Sequence, residues 1–406
     1  MKKKTILFIT AHGFKKRDRS RFEFEYYEKH KIETIVHDLM DYAFTYLKNV
    51  EFDRSERKNI FKYDSFSKWK KDFKSITSDK NLDLRIICPV ACINMQTFKI
   101  INEINKSNIT TLDYVNEDVP VYQTDIQFLN IFRRFFRNIF NYRKLIYQFN
   151  KYFFTIIGKF YLKQYNYSIC NSIQNFEKLS AIKNRKHLKK EIIKANSIDY
   201  SNFIISLDEN TPKISKEKYG IFIDTGGPKN ISDDLLEGVR HPLTVSKWYP
   251  SLSKFFDRVE LLNNLIIYIV PHPKSKFIEY PAEFYGRKAV KEWLPEVVKN
   301  CELLCTRNST AISYGVAHKK PIIILSSDEL KLKKNKNYMN ENSYFASELS
   351  TKQININNFN DDEINLENIK IDQQKYENYK KKYLSSLKNN KPNYKIILET
   401  LFNKSF

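Results

Sequence analysis

Short aliphatic and β-branched runs recur along this chain, each followed by a longer stretch with helical spacing, and the whole rhythm occurs twice. Strands separated by helices cannot be joined as hairpins; the crossovers make neighbouring strands parallel and cover the sheet on its faces. In the first half the runs place strands at Thr5–Thr10, Glu33–His37, Leu84–Pro89, Thr110–Tyr114 and Phe203–Ser206. In the second half they place them at Gly220–Asp224, Leu265–Val270, Glu302–Thr306 and Pro321–Leu325. Segment Thr211–Tyr219 (TPKISKEKY) is polar, charged and proline-containing, and reads as the link between the two series. A chain of 406 residues exceeds one ordinary core and suits two domains of about 150 to 200 residues. The expected fold class is α/β: two Rossmann-like domains with parallel sheets facing a central cleft, over residues 1–210 and 220–406.

Composition narrows the class further. Hydrophobic residues make up 42% and aromatics 15%, enough to fill two cores, which excludes a disordered chain. The formal net charge of +22 favours polyanionic partners: nucleic acid, an acidic membrane surface, or phosphorylated and carboxylated substrates. Abundant Lys, Asn and Ile beside only 8 Gly fit an AT-rich genome, so part of the basic excess reflects codon bias. Five cysteines (Cys88, Cys92, Cys170, Cys301, Cys305) match neither a disulfide framework nor zinc-ligand spacing, and four lie in or beside apolar runs. A reducing cytoplasm is the expected setting. The opening MKKKTILFITAHG has an apolar run of about six residues and no small-residue cleavage site, which suits a first strand better than a secretory signal. No uncharged run nears the ~20 residues that a spanning helix needs, so a soluble or peripheral protein is expected, the peripheral one at the inner face of the inner membrane.

Residues Ile126 to Lys163 interleave aromatic and basic side chains at roughly helical spacing. Such a stretch makes either core helices with solvated basic faces or an amphipathic surface resting on acidic headgroups, with Lys and Arg stems snorkelling.

Chemistry is most visible in IIYIVPHPKS, residues Ile266–Ser275. An apolar run ending in Pro271-His272-Pro273-Lys274 puts an imidazole at the carboxyl end of a parallel strand, where open α/β sheets bind ligands. That imidazole can donate to a phosphate oxygen or act as a general acid. A second HP pair, His241-Pro242, follows no strand and shows how common the dipeptide is. Some thirty-five residues after His272, a strand runs into Asn308-Ser309-Thr310 before a helix expected at Ala311–His318. Hydroxyls and free amides at a helix start cap it and can also hold an anion. With His272 they form an expected phosphate clamp at adjacent strand ends. Asp224 in IFIDTGGP ends another strand before Gly226 and Gly227, where a carboxylate either deprotonates an acceptor or closes its own turn. Asp18 in KKRDRSRFE is the alternative base, and Arg17, Arg19 and Arg21 around it suit an acceptor's carboxylate or phosphate. Arg287 and Lys288, after Gly286, are placed to reach the donor's acidic groups.

The HP motif paired with a Ser/Thr motif resembles bacterial sialyltransferases, polysialyltransferases and capsule Kdo transferases, which use CMP-activated acidic sugars. The segments IFIDTGGP, WYPSLSKFFDRVE, VPHPKS, FYGRK and NSTAISYGVAHKKPIIIL also look like bacterial surface-carbohydrate biosynthesis proteins; the likeness covers Gly220 to Leu325 and KKRDRSRFEFEYY. It implies a GT-B glycosyltransferase with the acceptor on the first domain, the nucleotide on the second, and the terminal helix crossing back. By the same resemblance His272, Ser309 and Thr310 bind the CMP phosphate and a carboxylate is the base, although the acidic pair those families carry before Gly is absent here.

No D-x-D cluster stands out, since Asp233-Asp234 and Asp361-Asp362 sit in polar contexts, and the seven His lack ligand spacing. A metal-independent, inverting transfer without a cofactor is expected, with the nucleotide sugar as co-substrate and a glycan or lipid-linked oligosaccharide as acceptor. Competing readings are a UDP-sugar, GDP-sugar or CDP-glycerol donor, a basic nucleic-acid-binding protein, and a non-catalytic scaffold of polysaccharide assembly.

Overall fold

The computed structural model describes residues 2–15, 18–45, 54–115, 142–162, 165–171, 191–208, 214–225, 227–228, 241–272, 284–290, 294–332, 336–388 and 390–403. They form two compact units, one from the described residues within 1–116, 138–198 and 386–406, the other from those within 199–385. The division falls between Ile198 and Asp199 rather than at the polar segment Thr211–Tyr219. Of the basic-aromatic stretch, residues 126–141 and Lys163 lie outside the described residues.

The first unit contains strands β1 (Lys3–Thr10), β2 (Glu33–Asp38), β3 (Ile60–Lys62), β4 (Leu82–Ile87), β5 (Thr111–Val115), β6 (Tyr167–Cys170) and β7 (Glu191–Lys194). They pair in parallel in the order β3-β2-β1-β4-β5-β6-β7. Leu7 lies between Ile35 and Ile86 in register. Alternation sends Leu7, Ile9, Leu84 and Ile86 into one core with Trp69 and Phe73 of helix Phe66–Ser78 and Ile100 and Ile104 of helix Met95–Lys106. Phe8, one residue out of phase, packs on the rings of Phe14, Phe22 and Phe24 at 4.7 to 5.7 Å. The described residues within 386–403 belong to this unit. There Asn196 N donates to Asn393 Oδ1 at 3.0 Å and Asn393 Nδ2 donates back to Asn196 O at 2.9 Å, a buried reciprocal pair.

In the second unit, β8 (Tyr219–Ile223), β9 (Ile266–Val270), β10 (Leu303–Thr306), β11 (Ile322–Ser326) and β12 (Gln353–Asn355) run parallel in the order β12-β11-β10-β8-β9. Tyr219, Ile221, Ile223, Leu304, Ile322 and Ile324 face one core. Phe222, Ile267, Ile269, Leu303, Cys305, Ile323 and Leu325 face another, closed by Trp248, Leu252, Phe255, Phe256 and Val259 of helix Val245–Asn263. The order places β8 between β9 and β10: the chain moves outward to β9, then returns past β8 to β10. The strand order reverses between β8 and β10.

Eight expected strands appear within two or three residues of their expected bounds, but Phe203–Ser206 is the end of helix Ile198–Ser206, whose Tyr200, Phe203 and Ile204 are buried in the second unit's core. A short apolar run has the same composition in a buried helix as in a buried strand, and periodicity cannot separate them.

His37 on β2 accepts a hydrogen bond from Trp69 Nε1 at its Nδ1 (3.2 Å) and is boxed by Phe61 and Tyr63. Burial lowers its pKa to about 3. Between the ordinary value near 6.5 and about 3 the unfolded chain therefore binds a proton that the folded one refuses. The neutral ring's contribution is full above pH 6.5 and is lost as pH falls through that window, by on the order of 5 kcal/mol. His37→Gln keeps an acceptor for Trp69 and removes the titration, so its urea midpoint should fall less between pH 7 and pH 4 than that of the parent chain.

Candidate active site

Because the five described strands of the second unit run the same way, their carboxyl ends share one rim. β8 delivers Asp224 and Thr225 there, β9 delivers Pro271 and His272, and β10 delivers Arg307, Asn308, Ser309 and Thr310. Ligands of open parallel sheets settle where strand order reverses, which here is the gap between Asp224-Thr225 and Arg307-Asn308.

Asp224 is buried, and its Oδ1 accepts the Gly227 amide at 3.1 Å, so the turn bond available to an aspartate in this sequence is made. Gly227 has no room for a side chain, since a Cβ would lie 2.8 Å from Tyr249 Oη. Gly226 lies outside the described residues, as do Pro273 and Lys274. His272 is half-buried at the end of β9. Its strand and β10 flank β8 rather than each other, so the two halves of the expected clamp stand two strand spacings apart, about 10 Å at the backbone, with the Asp224 turn between them.

Asn308 Nδ2 donates to Glu341 Oε2 at 3.2 Å, and Ser309 Oγ accepts the Ala311 amide at 3.3 Å. The helix that follows is only Ile312–Ala317, with Ala311 as its start and no side-chain cap bond. Six residues align few peptide dipoles, so the anion-binding capacity here resides in the hydroxyls and amides of the turn rather than in a helix end. Thr310 is exposed.

Arg307, which follows β10 directly, is the feature that motif reading passed over. It is only 6% exposed. Its Nε and Nη2 donate to Thr225 Oγ1 at 3.0 and 2.7 Å, tying the ends of β10 and β8 together across the reversal. The guanidinium lies 5.5 Å from the Trp248 ring centre, a cation–π contact. Trp248 is 1% exposed and its Nε1 has no hydrogen-bond partner among the described residues; the buried Ser327 hydroxyl just beyond β11 has none among them either. Orphaned donors at a strand-end rim are what a polar ligand satisfies. The signal in the sequence was a charged residue directly abutting an otherwise apolar strand, ELLCTR.

Other expected residues do different work. Arg287 is spent on the fold: Nε donates to Glu260 Oε1 at 3.1 Å, Nη1 to Ser253 Oγ at 3.0 Å, and Nη2 to Asp257 Oδ1 and Glu260 Oε2 at 2.6 and 2.7 Å. Through these bonds the guanidinium clamps helix Val245–Asn263. In the first unit Arg19 is buried and donates to Glu28 Oε2 at 2.6 Å, Arg21 lies over the Phe22 ring at 5.7 Å, and Arg17 lies outside the described residues. Asp18 is buried and its Oδ2 accepts the Lys15 amide at 2.9 Å, closing a turn. The first sheet has its own reversal between β1 and β4, and the exposed His12 stands just after β1, stacked on Phe44 at 5.4 Å. No motif marks His12; its signal was its place two residues after the first strand. Among the described residues no group of His, Cys, Asp and Glu is arranged to hold a metal ion.

No protein-family model matches the chain, and no curated protein matches it in sequence. Solved structures do match in shape. The wall teichoic acid polymerase TagF is 14% identical with a TM-score of 0.50, over 99% of this chain and 89% of that one. A UDP-N-acetylglucosamine 2-epimerase described as putative, from Listeria monocytogenes, is 9% identical with a TM-score of 0.50, over 100% of this chain and 98% of that one. The fold is of the GT-B kind. It is shared along the whole chain at identities too low to carry more than the fold.

His241 reports on Arg307. Its pKa is lowered to about 4, first by burial and then by the Arg307 charge. Arg307→Gln should therefore raise the His241 pKa, read from the pH dependence of its imidazole NMR signals, whereas an unmoved titration would separate the two groups.

Proposed function

We propose that the chain is a glycosyltransferase of bacterial surface-polysaccharide biosynthesis that moves a sugar from a nucleotide donor to a glycan or lipid-linked acceptor. One observation carries this reading: a carboxylate (Asp224), an imidazole (His272), a buried guanidinium (Arg307) and the Asn308–Thr310 turn share one rim of a parallel sheet, around the reversal of strand order. The GT-B fold supports it, since the matched structures bear the names of a wall teichoic acid polymerase and a UDP-N-acetylglucosamine 2-epimerase.

In this reading Asp224 takes the proton of the acceptor hydroxyl. The acceptor oxygen bonds to the anomeric carbon as the bond from that carbon to the phosphate oxygen breaks, and the electron pair leaves on the phosphate. His272, Ser309, Thr310 and the Arg307 charge stabilise that departing anion, as fixed donors do for developing charge in a site shielded from water. Asn308 adds to the phosphate contacts, and Gly227 keeps the turn after Asp224 free of a side chain. One base and direct displacement invert the anomeric centre. Neither a metal nor a cofactor takes part in this scheme.

The donor of first choice is a CMP-linked ulosonic acid such as sialic, legionaminic or pseudaminic acid or Kdo, on the pairing of HP with Ser/Thr. A second reading, a UDP-sugar, GDP-sugar or CDP-glycerol donor, is favoured by the spacing of about 10 Å between the ends of β9 and β10, which gives room for a diphosphate, and by the UDP-sugar in the epimerase's name.

A melting-temperature screen against CMP, UMP, UDP, GDP and CDP separates these readings. Stabilisation by CMP, lost in His272→Ala, is expected; stabilisation by diphosphates alone would replace the donor, and a response to none of them would remove the transferase reading. For the base, Asp224→Asn retains the acceptor for the Gly227 amide and removes the proton acceptor. It should leave the melting temperature unchanged while lowering kcat by roughly 10²- to 10⁴-fold.

A further inference from the structure

Helix Tyr142–Tyr161 presents its apolar stripe outward. Phe149, Tyr152, Phe153 and Ile156 are 66%, 60%, 44% and 53% exposed. Spacing of i, i+3, i+4 and i+7 puts all four on one side of a helix, the pattern that ordinarily faces a core. Phe149 and Phe153 stack on each other at 5.7 Å, and Phe160, one further turn along, continues the line at 75% exposure.

The opposite side anchors the helix. Phe154 is buried, its carbonyl accepts from Cys92 Sγ at 3.2 Å, and a Cβ at Gly158 would lie 3.0 Å from that same sulfur. The stripe thus points away from the first unit's own core, and a contiguous aromatic face of this kind marks an interaction site.

Charge selects the partner. From Ile126 to Phe176 the sequence has no Asp or Glu, while Ile126 to Lys163 carries eight Lys and Arg, including the exposed Lys151. A second copy seated symmetrically on the stripe would set this basic stretch against itself. An anionic bilayer surface accepts both parts: rings sink to the boundary between headgroups and acyl chains while basic ends reach lipid phosphates. No described helix is long and apolar enough to cross a membrane, so the helix lies on the surface.

We infer that helix Tyr142–Tyr161 docks the chain on an anionic lipid surface through Phe149, Tyr152, Phe153 and Ile156. This inference is independent of the donor.

The test is co-sedimentation of the full chain with vesicles of phosphatidylcholine alone and of phosphatidylcholine with phosphatidylglycerol, at low and high salt. Binding to the anionic vesicles, weakened by salt and at least about tenfold weaker in Phe149→Ser/Phe153→Ser, is expected. The single variant Ile156→Ser serves if the double variant melts early. Equal binding to both vesicle types, no binding to either, or wild-type binding by variants that melt normally would overturn the inference. So would a dimer in size exclusion that the double variant splits, with no vesicle binding by the parent chain. Nucleotide melting shifts on the same samples keep this result separate from the transferase reading.

Discussion

Parallel strands covered on both faces leave a protein few places for chemistry. In the second unit alternate residues of β8, β10 and β11 enter two different cores, so the sheet faces are fully occupied by aliphatic and aromatic side chains. What stays reachable is the rim where the strands end, and there backbone amides and short polar side chains accumulate because the apolar pattern has stopped. The order β12-β11-β10-β8-β9 then opens a gap in that rim between β8 and β10. Asp224, Thr225 and Arg307 occupy it as a consequence of topology, and the Thr225–Arg307 bonds hold its two sides together.

Much of this was legible in the sequence because the period of an apolar run reports how many faces are buried. GIFI, IIYIV, ELLCT and PIIIL are too short and too continuously apolar for amphipathic helices, and each became a strand. The same property misled at Phe203–Ser206, where the run is packed all round as a helix. Strands β3, β6, β7 and β12 have only three or four residues each, too few to establish a period. Strand order was not legible at all, since nothing in VPHPKS or TRNST states that β8 will lie between them. Motif reading therefore placed His272 and Ser309 on neighbouring strands and passed over Arg307, which lies directly at the reversal.

Basic residues in this chain do not form one class. Arg287 is consumed by Asp257, Glu260 and Ser253, and Arg19 by Glu28, each fixing a helix. Arg307 is buried beside an indole whose own N–H has no partner among the described residues. The stretch around helix Tyr142–Tyr161 instead has no acidic counterpart in sequence. The net charge of +22 is thus a sum over residues in different settings, which is why the total alone could not choose among nucleic acid, membrane and phosphorylated substrates.

In the proposed reading the second unit holds a nucleotide's phosphate at the reversal of its strand order. Peptide-resolved hydrogen exchange, without ligand and with saturating CMP or UDP, tests this. Slowed exchange with one of the two nucleotides is expected in peptides covering Asp224–Gly227 and Arg307–Ala311, with the strand interiors unchanged; protection confined to the ends of β1 and β4 in the first unit, or no protection with either nucleotide, would overturn the assignment.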